Sequence, residues 1–313
     1  MSLLLGLTML EAEQPTAAAA QPLSPQFVKA LQDADACRPN VECKLTAEMS
    51  ATLVGMFRYT GVCRADETCD VTLDRFEKLE AIIKKTEQWT PVPPKVSPGT
   101  VQGAPPSDAI VLFDGRNLDG WISANDHMPA HWPVQGGVLT VGKAQGNIET
   151  KRHFKDYQLH IEWRIPKDVE GKGQARGNSG VFLASTGPYD AGYEIQILDS
   201  WNNPTYVNGE AASLYKESAP LVNAARPPGA WQSYDVVWTA PRFDGKGSLK
   251  SPAYVTLFHN GVLVQNHVAL QGETSFLYRP SYRPYDRAAI KLQAHPDSSR
   301  PLSFRNIWVR EIP

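Results

Sequence analysis

The sequence has almost no net charge. Of its 313 residues, 31 are lysine or arginine and 33 are aspartate or glutamate, a formal charge of -2. A chain so balanced has no general attraction for nucleic acid or an anionic membrane surface, and a neutral partner suits it better. Long apolar runs are also missing, so no membrane span is expected. The glycine-rich phosphate loop, the Gly-x-Ser-x-Gly elbow and the His-Glu-x-x-His helix are absent, which argues against P-loop, α/β-hydrolase and zincin chemistry. No internal repeat occurs. Cysteine is scarce and local: Cys37, Cys43, Cys63 and Cys69 form two pairs of equal spacing in one segment. Two disulfides in an exported module are expected there. A zinc site is the rival reading, but the close Cys-x-x-Cys spacing is missing and no histidine lies among them.

What is present divides the chain into four stretches. Residues 1–24 carry a short apolar run, Leu3 to Leu10, then Ala17 to Ala20. This pattern resembles a secretory leader, although no Lys or Arg precedes the run, and it points to a periplasmic or secreted protein. Residues 25–90 read as a small helical domain, with Leu73, Phe76, Leu79, Ile82 and Ile83 at helical spacing and Asp70 or Thr72 as the cap. Residues 91–108 hold six prolines and two glycines, the composition of a linker. From residue 109 to 313 the period changes to two. Tyr157, Leu159, Ile161, Trp163 and Ile165 alternate with Gln158, His160, Glu162 and Arg164, as a half-buried strand requires. Further strands are expected at 109–113, 138–141, 180–184, 193–198, 234–239, 254–259, 262–268, 289–294 and 302–311, with Asn260-Gly261 turning a hairpin. Many short strands with Gly/Pro-rich connections predict an all-β, two-sheet jelly-roll sandwich.

Polar residues recur in strands that should be central. Glu162 and Arg164 share one face of a strand, Glu194 and Gln196 of a second, and Lys291, Gln293 and His295 of a third. A solvated outer face is the ordinary explanation. Against it, carboxylates, a cation, amides and an imidazole together are what a site needs to hold hydroxyls, move a proton and stabilise an oxyanion. Trp121, Trp132, Tyr193, Trp201 and Tyr215 could stack on a sugar ring. Core packing is the commoner use, and Trp201 and Tyr215, in loop-like surroundings, are the ones assigned to ligand contact. Asn178-Ser179-Gly180 reads as a turn entering a strand rather than a nucleophile. Asp126, His127, His131, Glu162, Glu194 and His295 could converge on a divalent cation, although nothing in their spacing demands one.

An ordered set of short motifs resembles the 3-keto-disaccharide hydrolase domain family, a concanavalin-like jelly roll. The set runs Leu112-Phe113-Asp114-Gly115, Leu159-His160-Ile161-Glu162-Trp163-Arg164, Gly177-Asn178-Ser179-Gly180, Gly192-Tyr193-Glu194-Ile195-Gln196-Ile197-Leu198-Asp199, Pro227-Pro228-Gly229-Ala230-Trp231, His259-Asn260-Gly261, Leu292-Gln293-Ala294-His295 and Phe304-Arg305-Asn306. The resemblance implies a small carbohydrate substrate whose sugar carries a C3 ketone. The ketone acidifies the C2 proton, so a base can remove it while the C1 substituent leaves, and water then adds. On that chemistry Glu194 or His295 is expected as base, Arg164 or a cation as enolate stabiliser, and Glu162 as acid or as the group orienting Arg164. Gln196, Asp199, Lys291, Gln293, Trp201 and Tyr215 are expected to contact substrate. The run from Glu194 to Asp199 is also similar to the Glu-Ile-Asp-x-x-Glu signature of laminarinase-type glycosidases, but an amide replaces the middle acid, which disfavours double displacement. A non-catalytic carbohydrate-binding module is the other alternative. For the helical segment a lid or partner-binding role is expected; oligomeric state is not legible.

Overall fold

The structure, a computed structural model, describes residues 23–34 and 43–313. The leader-like residues 1–22 and Cys37 therefore lie outside the described residues. The chain divides into two compact units, 1–94 and 95–313.

In the first unit, α1 (Pro25–Asp33), α2 (Ala47–Tyr59) and α3 (Leu73–Lys84) each begin behind a hydroxyl cap. Ser24, Thr46 and Thr72 accept from the backbone N–H three residues on, at 3.2, 3.1 and 3.3 Å, satisfying a donor that a helix start leaves orphaned. Phe27, Leu31, Leu53, Phe57, Phe76 and Leu79 form the core of this unit, sealed by Cys63, which is disulfide-bonded to Cys69. Cys43 is disulfide-bonded as well.

The second unit is the expected sandwich. Its strands are β1 (Ile110–Phe113), β2 (Trp121–Ser123), β3 (Val134–Gln135), β4 (Val138–Thr140), β5 (Ile148–Thr150), β6 (Tyr157–Arg164), β7 (Ser179–Ser185) and β8 (Gly192–Ile197). They continue as β9 (Gln232–Thr239), β10 (Arg242–Phe243), β11 (Leu249–Ser251), β12 (Tyr254–His259), β13 (Val262–Ala269), β14 (Ala289–Leu292) and β15 (Ser303–Glu311). The larger sheet runs β13-β12-β9-β6-β15-β4-β3, with β1 also on β15. The smaller sheet runs β2-β5-β14-β7-β8, and β10 and β11 make a separate ribbon. Strand pairs are antiparallel throughout.

Between the sheets, Tyr157, Leu159, Ile161 and Trp163 from β6 meet Val181 and Leu183 from β7, Tyr193, Ile195 and Ile197 from β8, and Ile290 and Leu292 from β14. Burying each such side chain contributes about 1.5–3 kcal/mol, so this layer is the main source of the domain's stability. Trp121, Trp132 and Tyr193 belong to it too, which settles them as core aromatics.

The proline-rich stretch expected as a free linker is ordered from Lys95 onward and belongs to the second unit. Ser97 and Ser107 close a loop through reciprocal bonds of 3.0 and 2.9 Å. The Gly103 carbonyl accepts from Asn306 Nδ2 at 2.8 Å and Trp308 Nε1 at 2.9 Å. Proline stops a segment from joining a helix or ladder, but it does not stop its carbonyls from accepting side-chain donors.

Asn260 and Gly261 have φ of 54° and 81°, the two positive angles of a type I′ turn joining β12 and β13. A Cβ on Gly261 would meet nothing within 4 Å, so Gly261→Ala tests the backbone angle alone. We expect a loss of about 1–2 kcal/mol, read as a fall of roughly 2–8 °C in the Tm of the β domain. No change in Tm would contradict the turn assignment.

Candidate active site

The two sheets treat their outward-facing polar residues differently. On the larger sheet, Glu162 and Arg164 are half-buried and neighbours such as Val237 are exposed, an ordinary outer face. On the smaller sheet, β8 and β14 are buried on both faces. Glu194, Gln196, Lys291 and Gln293 are exposed by only 6, 1, 0 and 5 %. A solvated face therefore does not explain these four.

This geometry corrects the expectation of one convergent group. Glu162 and Arg164 lie on β6 of the larger sheet, whereas Glu194, Gln196, Lys291, Gln293 and His295 lie on or beside β8 and β14 of the smaller one, with the apolar core between. Alternation carries no information about which sheet a strand joins. Glu162 is also spent: its carboxylate takes Arg305 Nε at 2.6 Å and Asn306 Nδ2 at 2.8 Å. Burial would raise its pKa, but those two donors outweigh it and hold the carboxyl below the usual range, the wrong direction for a proton donor.

On the smaller sheet the register places Gly180 of β7 between Gln196 of β8 and Gln293 beyond β14. Gly180 is paired to Gln196, and its carbonyl accepts from Gln293 N at 3.0 Å. The next row holds Lys291, Phe182 and Glu194. Because Gly180 has no side chain, the Glu194 carboxyl lies over it; a Cβ there would come within 2.3 Å of Glu194 Oε1. Gln196 Nε2 donates to Gln174 Oε1 at 3.0 Å, and Gln174 is in turn fixed by Thr205 and the Gly209 carbonyl. Gln196 Oε1 and Gln293 Oε1 are buried without a hydrogen-bond partner. Two such orphans in one patch cost about 1–3 kcal/mol each, and a bound polar ligand would satisfy them.

Glu194 is the centre of this patch. Its backbone N–H is held by Thr274 Oγ1 at 3.0 Å, yet among the described residues no hydrogen bond or ion pair is made by its carboxyl. Burial, with Asp190 adding repulsion and Lys291 only partly offsetting it, pushes its pKa well above the ordinary glutamate value. The group is a neutral acid until ionised.

Lys291 does not reach outward as a ligand contact. Its three N–H groups go to the carbonyls of Gly187, Tyr189 and Ala191 at 2.7, 2.9 and 3.0 Å. Burial lowers its pKa to about 8, with the surrounding carboxylates opposing the fall. Asn147 braces the same loop through the Tyr189 carbonyl at 2.9 Å and Asp190 Oδ1 at 3.1 Å. Asp199 is likewise structural, ion-paired to Arg176 at 2.7 Å and accepting from Trp201 N at 3.1 Å. Its pKa is raised, burial outweighing those contacts. Ser179 spends its hydroxyl on the Gln293 carbonyl at 2.7 Å, which removes it as a nucleophile.

His295, partly exposed, closes the far end of the row. Its Nδ1 lies 3.0 Å from Asp297 Oδ2, and Lys143 and Ser299 fix that carboxylate in turn. Burial would raise the Asp297 pKa, but these donors depress it strongly. The Asp297 N–H also lies 3.3 Å from this Nδ1; in the tautomer with the proton on Nδ1, Nε2 is the nitrogen left to accept. Tyr215 shares a 2.8 Å hydroxyl bond with Tyr206, beside Lys216, whose Nζ is 4.3 Å from the Tyr206 ring centre. Trp201 is 42 % exposed. Among the described residues no three His, Cys, Asp or Glu side chains gather as a metal-binding group; His127 meets only Glu149, at 3.6 Å, and Glu162 is on the other sheet.

A family model described as a 3-keto-alpha-glucoside-1,2-lyase-like domain matches residues 108–310. The chain belongs to that family. A solved structure from Parabacteroides distasonis ATCC 8503, described as a candidate glycosyl hydrolase, is similar to this member of the 3-keto-alpha-glucoside-1,2-lyase-like family at 44 % identity and a TM-score of 0.68, covering 80 % of this chain and 100 % of that one. Two further candidate glycosyl hydrolases from the same organism match at 18 and 20 % identity, each with a TM-score of 0.46, over 66 and 65 % of this chain and 94 and 99 % of theirs. No curated protein matches.

Sequence reasoning missed Gln174, Asn147 and Asp297, whose roles come from loops folding onto the sheet. Gly180 reads in the sequence only as part of a turn entering a strand, although a glycine within a strand is the signal that could have marked close approach by another group. Gly180→Ala should displace the Glu194 carboxyl while leaving the strand paired. The prediction is a turnover loss of about tenfold or more, the cost of a displaced catalytic group, with circular dichroism unchanged. Wild-type turnover would show that the carboxyl's position does not matter.

Glu194→Gln tests the electrostatics. A folded-state pKa raised above the unfolded value means that stability falls as pH rises past the unfolded pKa, because only the unfolded chain ionises there. The amide removes that loss. Its Tm should match wild type at pH 4 and exceed it at pH 8 by about 2–4 °C or more, the shift for ~1 kcal/mol in a domain of this size. A lower Tm at pH 8 would mean that ionised Glu194 is stabilised.

Proposed function

We propose that the domain cleaves glycosides whose sugar carries a C3 ketone, by removing the C2 proton and expelling the C1 substituent. The observation that carries this reading is Glu194, a buried carboxyl with no partner and a raised pKa, set between two glutamines with unfilled carbonyls. The family match and the candidate glycosyl hydrolase at 44 % identity support carbohydrate as the substrate class.

In this scheme His295, oriented by Asp297, takes the C2 proton on Nε2. The C2–H electrons form a C1=C2 bond as the C1–O bond breaks, passing through an enolate conjugated with the C3 oxygen. Glu194 in its acid form gives its proton to the departing oxygen, much as a raised-pKa carboxyl serves other enzymes as an acid. The Glu194 carboxylate then takes a proton from water, whose hydroxyl goes to C1, and His295 returns its proton to C2, so both groups are restored and the sum is hydrolysis. Gln196 and Gln293 hold ring hydroxyls. Lys291 acts indirectly, as a positioning residue that pins the loop 187–191. The Cys63–Cys69 disulfide and the leader-like start favour action outside the cytoplasm.

Purified protein should turn over a 3-keto-glucoside and leave its unoxidised parent intact. Glu194→Gln and His295→Ala should each lower turnover by about 10²-fold or more, the usual scale of an acid–base group, while retaining substrate binding. Arg164→Gln, on the other sheet, should change it less than about twofold, as expected of a residue that contributes no transition-state stabilisation. Equal cleavage of both sugars would instead mark an ordinary glycosidase, and saturable binding with no turnover a carbohydrate-binding module.

A further inference from the structure

Arg164 and its surroundings form a second site. β6, β15 and the 227–231 turn enclose a cavity of about 280 Å³ on the larger sheet's side of the sandwich, lined by Arg164, Pro166, Lys167, Gly229 and Ser303. Two of these five are cations, and among the described residues neither side chain makes an ion pair or a hydrogen bond. The neighbouring carboxylates are already used: Glu162 by Arg305 and Asn306, and Asp168 by Arg300 at 2.5 Å. Arg226 adds another positive group without an acidic partner, donating to the Trp231 carbonyl at 3.0 Å.

The Arg164 guanidinium is not loose. Its Cζ sits 4.5 Å from the centre of the Trp231 ring, and Arg305 Cζ sits 4.1 Å from the same ring. Stacking on an indole occupies the face of a guanidinium and leaves its N–H edge free, the edge that meets a carboxylate through two parallel bonds. Arg305 is already paired with Glu162 at 2.6 Å, whereas Arg164 and the exposed Lys167 bring positive charge with no acid of their own among the described residues, a partner that an incoming anion would supply. The cavity lies just below the range for small-molecule sites, about 300–1,000 Å³, and suits one ring rather than a chain. Pro166 supplies an apolar wall and Ser303 a hydroxyl.

We propose that this cavity binds a carboxylate carried on a small polar ligand of about one sugar ring, with Arg164 as the bidentate anchor and Lys167 as the second cation. The site stands apart from the Glu194 patch, and its existence does not depend on the reaction assigned there.

The test is an NMR titration of the full chain with galacturonate, following the Arg164 Nε–H and Trp231 indole N–H resonances. Galactose, inorganic sulfate and inorganic phosphate are run beside it. Saturable shifts of both resonances with galacturonate, and at least tenfold weaker binding of galactose, are expected. Lys167→Gln, an exposed change that leaves Trp231 packed, should weaken galacturonate several-fold. Arg164→Lys should weaken it about tenfold by keeping the charge and losing the fork. Equal affinity for galactose and galacturonate, or unchanged affinity in both variants, would overturn the proposal. Sulfate or phosphate binding as tightly as galacturonate would overturn the carboxylate assignment and leave a bare oxyanion site.

Discussion

Covering both faces of the five-stranded sheet is the constraint on which the rest depends. An antiparallel sheet normally buries one face and hydrates the other. In this domain the loops around 174–178, 187–191 and 199–215 close over the outer face as well, so every side chain of β8 and β14 is withdrawn from water. Polar groups there must be paired or costly. Lys291 meets the requirement with three carbonyls, Asp199 with Arg176, and Ser179 with the Gln293 carbonyl. The two glutamine carbonyls do not meet it, but neither do polar atoms of Trp163, Tyr193 and Ser213, so what marks the patch is that these carbonyls flank the Glu194 carboxyl lying over Gly180.

The same constraint separates residues that looked alike. Lys291 and Gln293 are two positions apart on one strand and face the same way, yet one is tied to the backbone of its covering loop and the other is left with an empty acceptor. The difference is one of hydrogen-bond role: the Lys291 ammonium, all donor, meets the carbonyls of residues 187, 189 and 191, whereas Gln293 Oε1, an acceptor, meets no donor among the described residues. Glu162 shows the converse: a carboxylate on an exposed sheet face gains cationic and amide partners and loses any acid role.

Much of the fold was legible because its long strands are strictly alternating. β6 shows Tyr157, Leu159, Ile161 and Trp163 on one side, and Asn260-Gly261 marks the hairpin through backbone angles that few other pairs adopt. The two-residue β3 and β10 and the three-residue β2 and β5 were not legible, since so few residues hold no period. The site was half legible. Periodicity shows that Glu162, Arg164, Glu194 and Gln293 turn from the core, but assignment to a sheet depends on pairings between residues far apart in the chain, such as Gly180 with Gln196 and Arg164 with Ser303. Two outer faces were thus read as one, and the ordering of 95–108 by Asn306 and Trp308 was hidden for the same reason.

The central claim is that burial, with no donor or cation on its carboxyl among the described residues, holds the Glu194 pKa well above the ordinary glutamate value. A ¹³C titration of the labelled glutamate carboxyls, with the Glu194 resonance assigned by its loss in Glu194→Gln, measures this without reference to any substrate. The account predicts a midpoint well above the ordinary glutamate value. A midpoint at or below that ordinary value would contradict it and remove Glu194 as the acid.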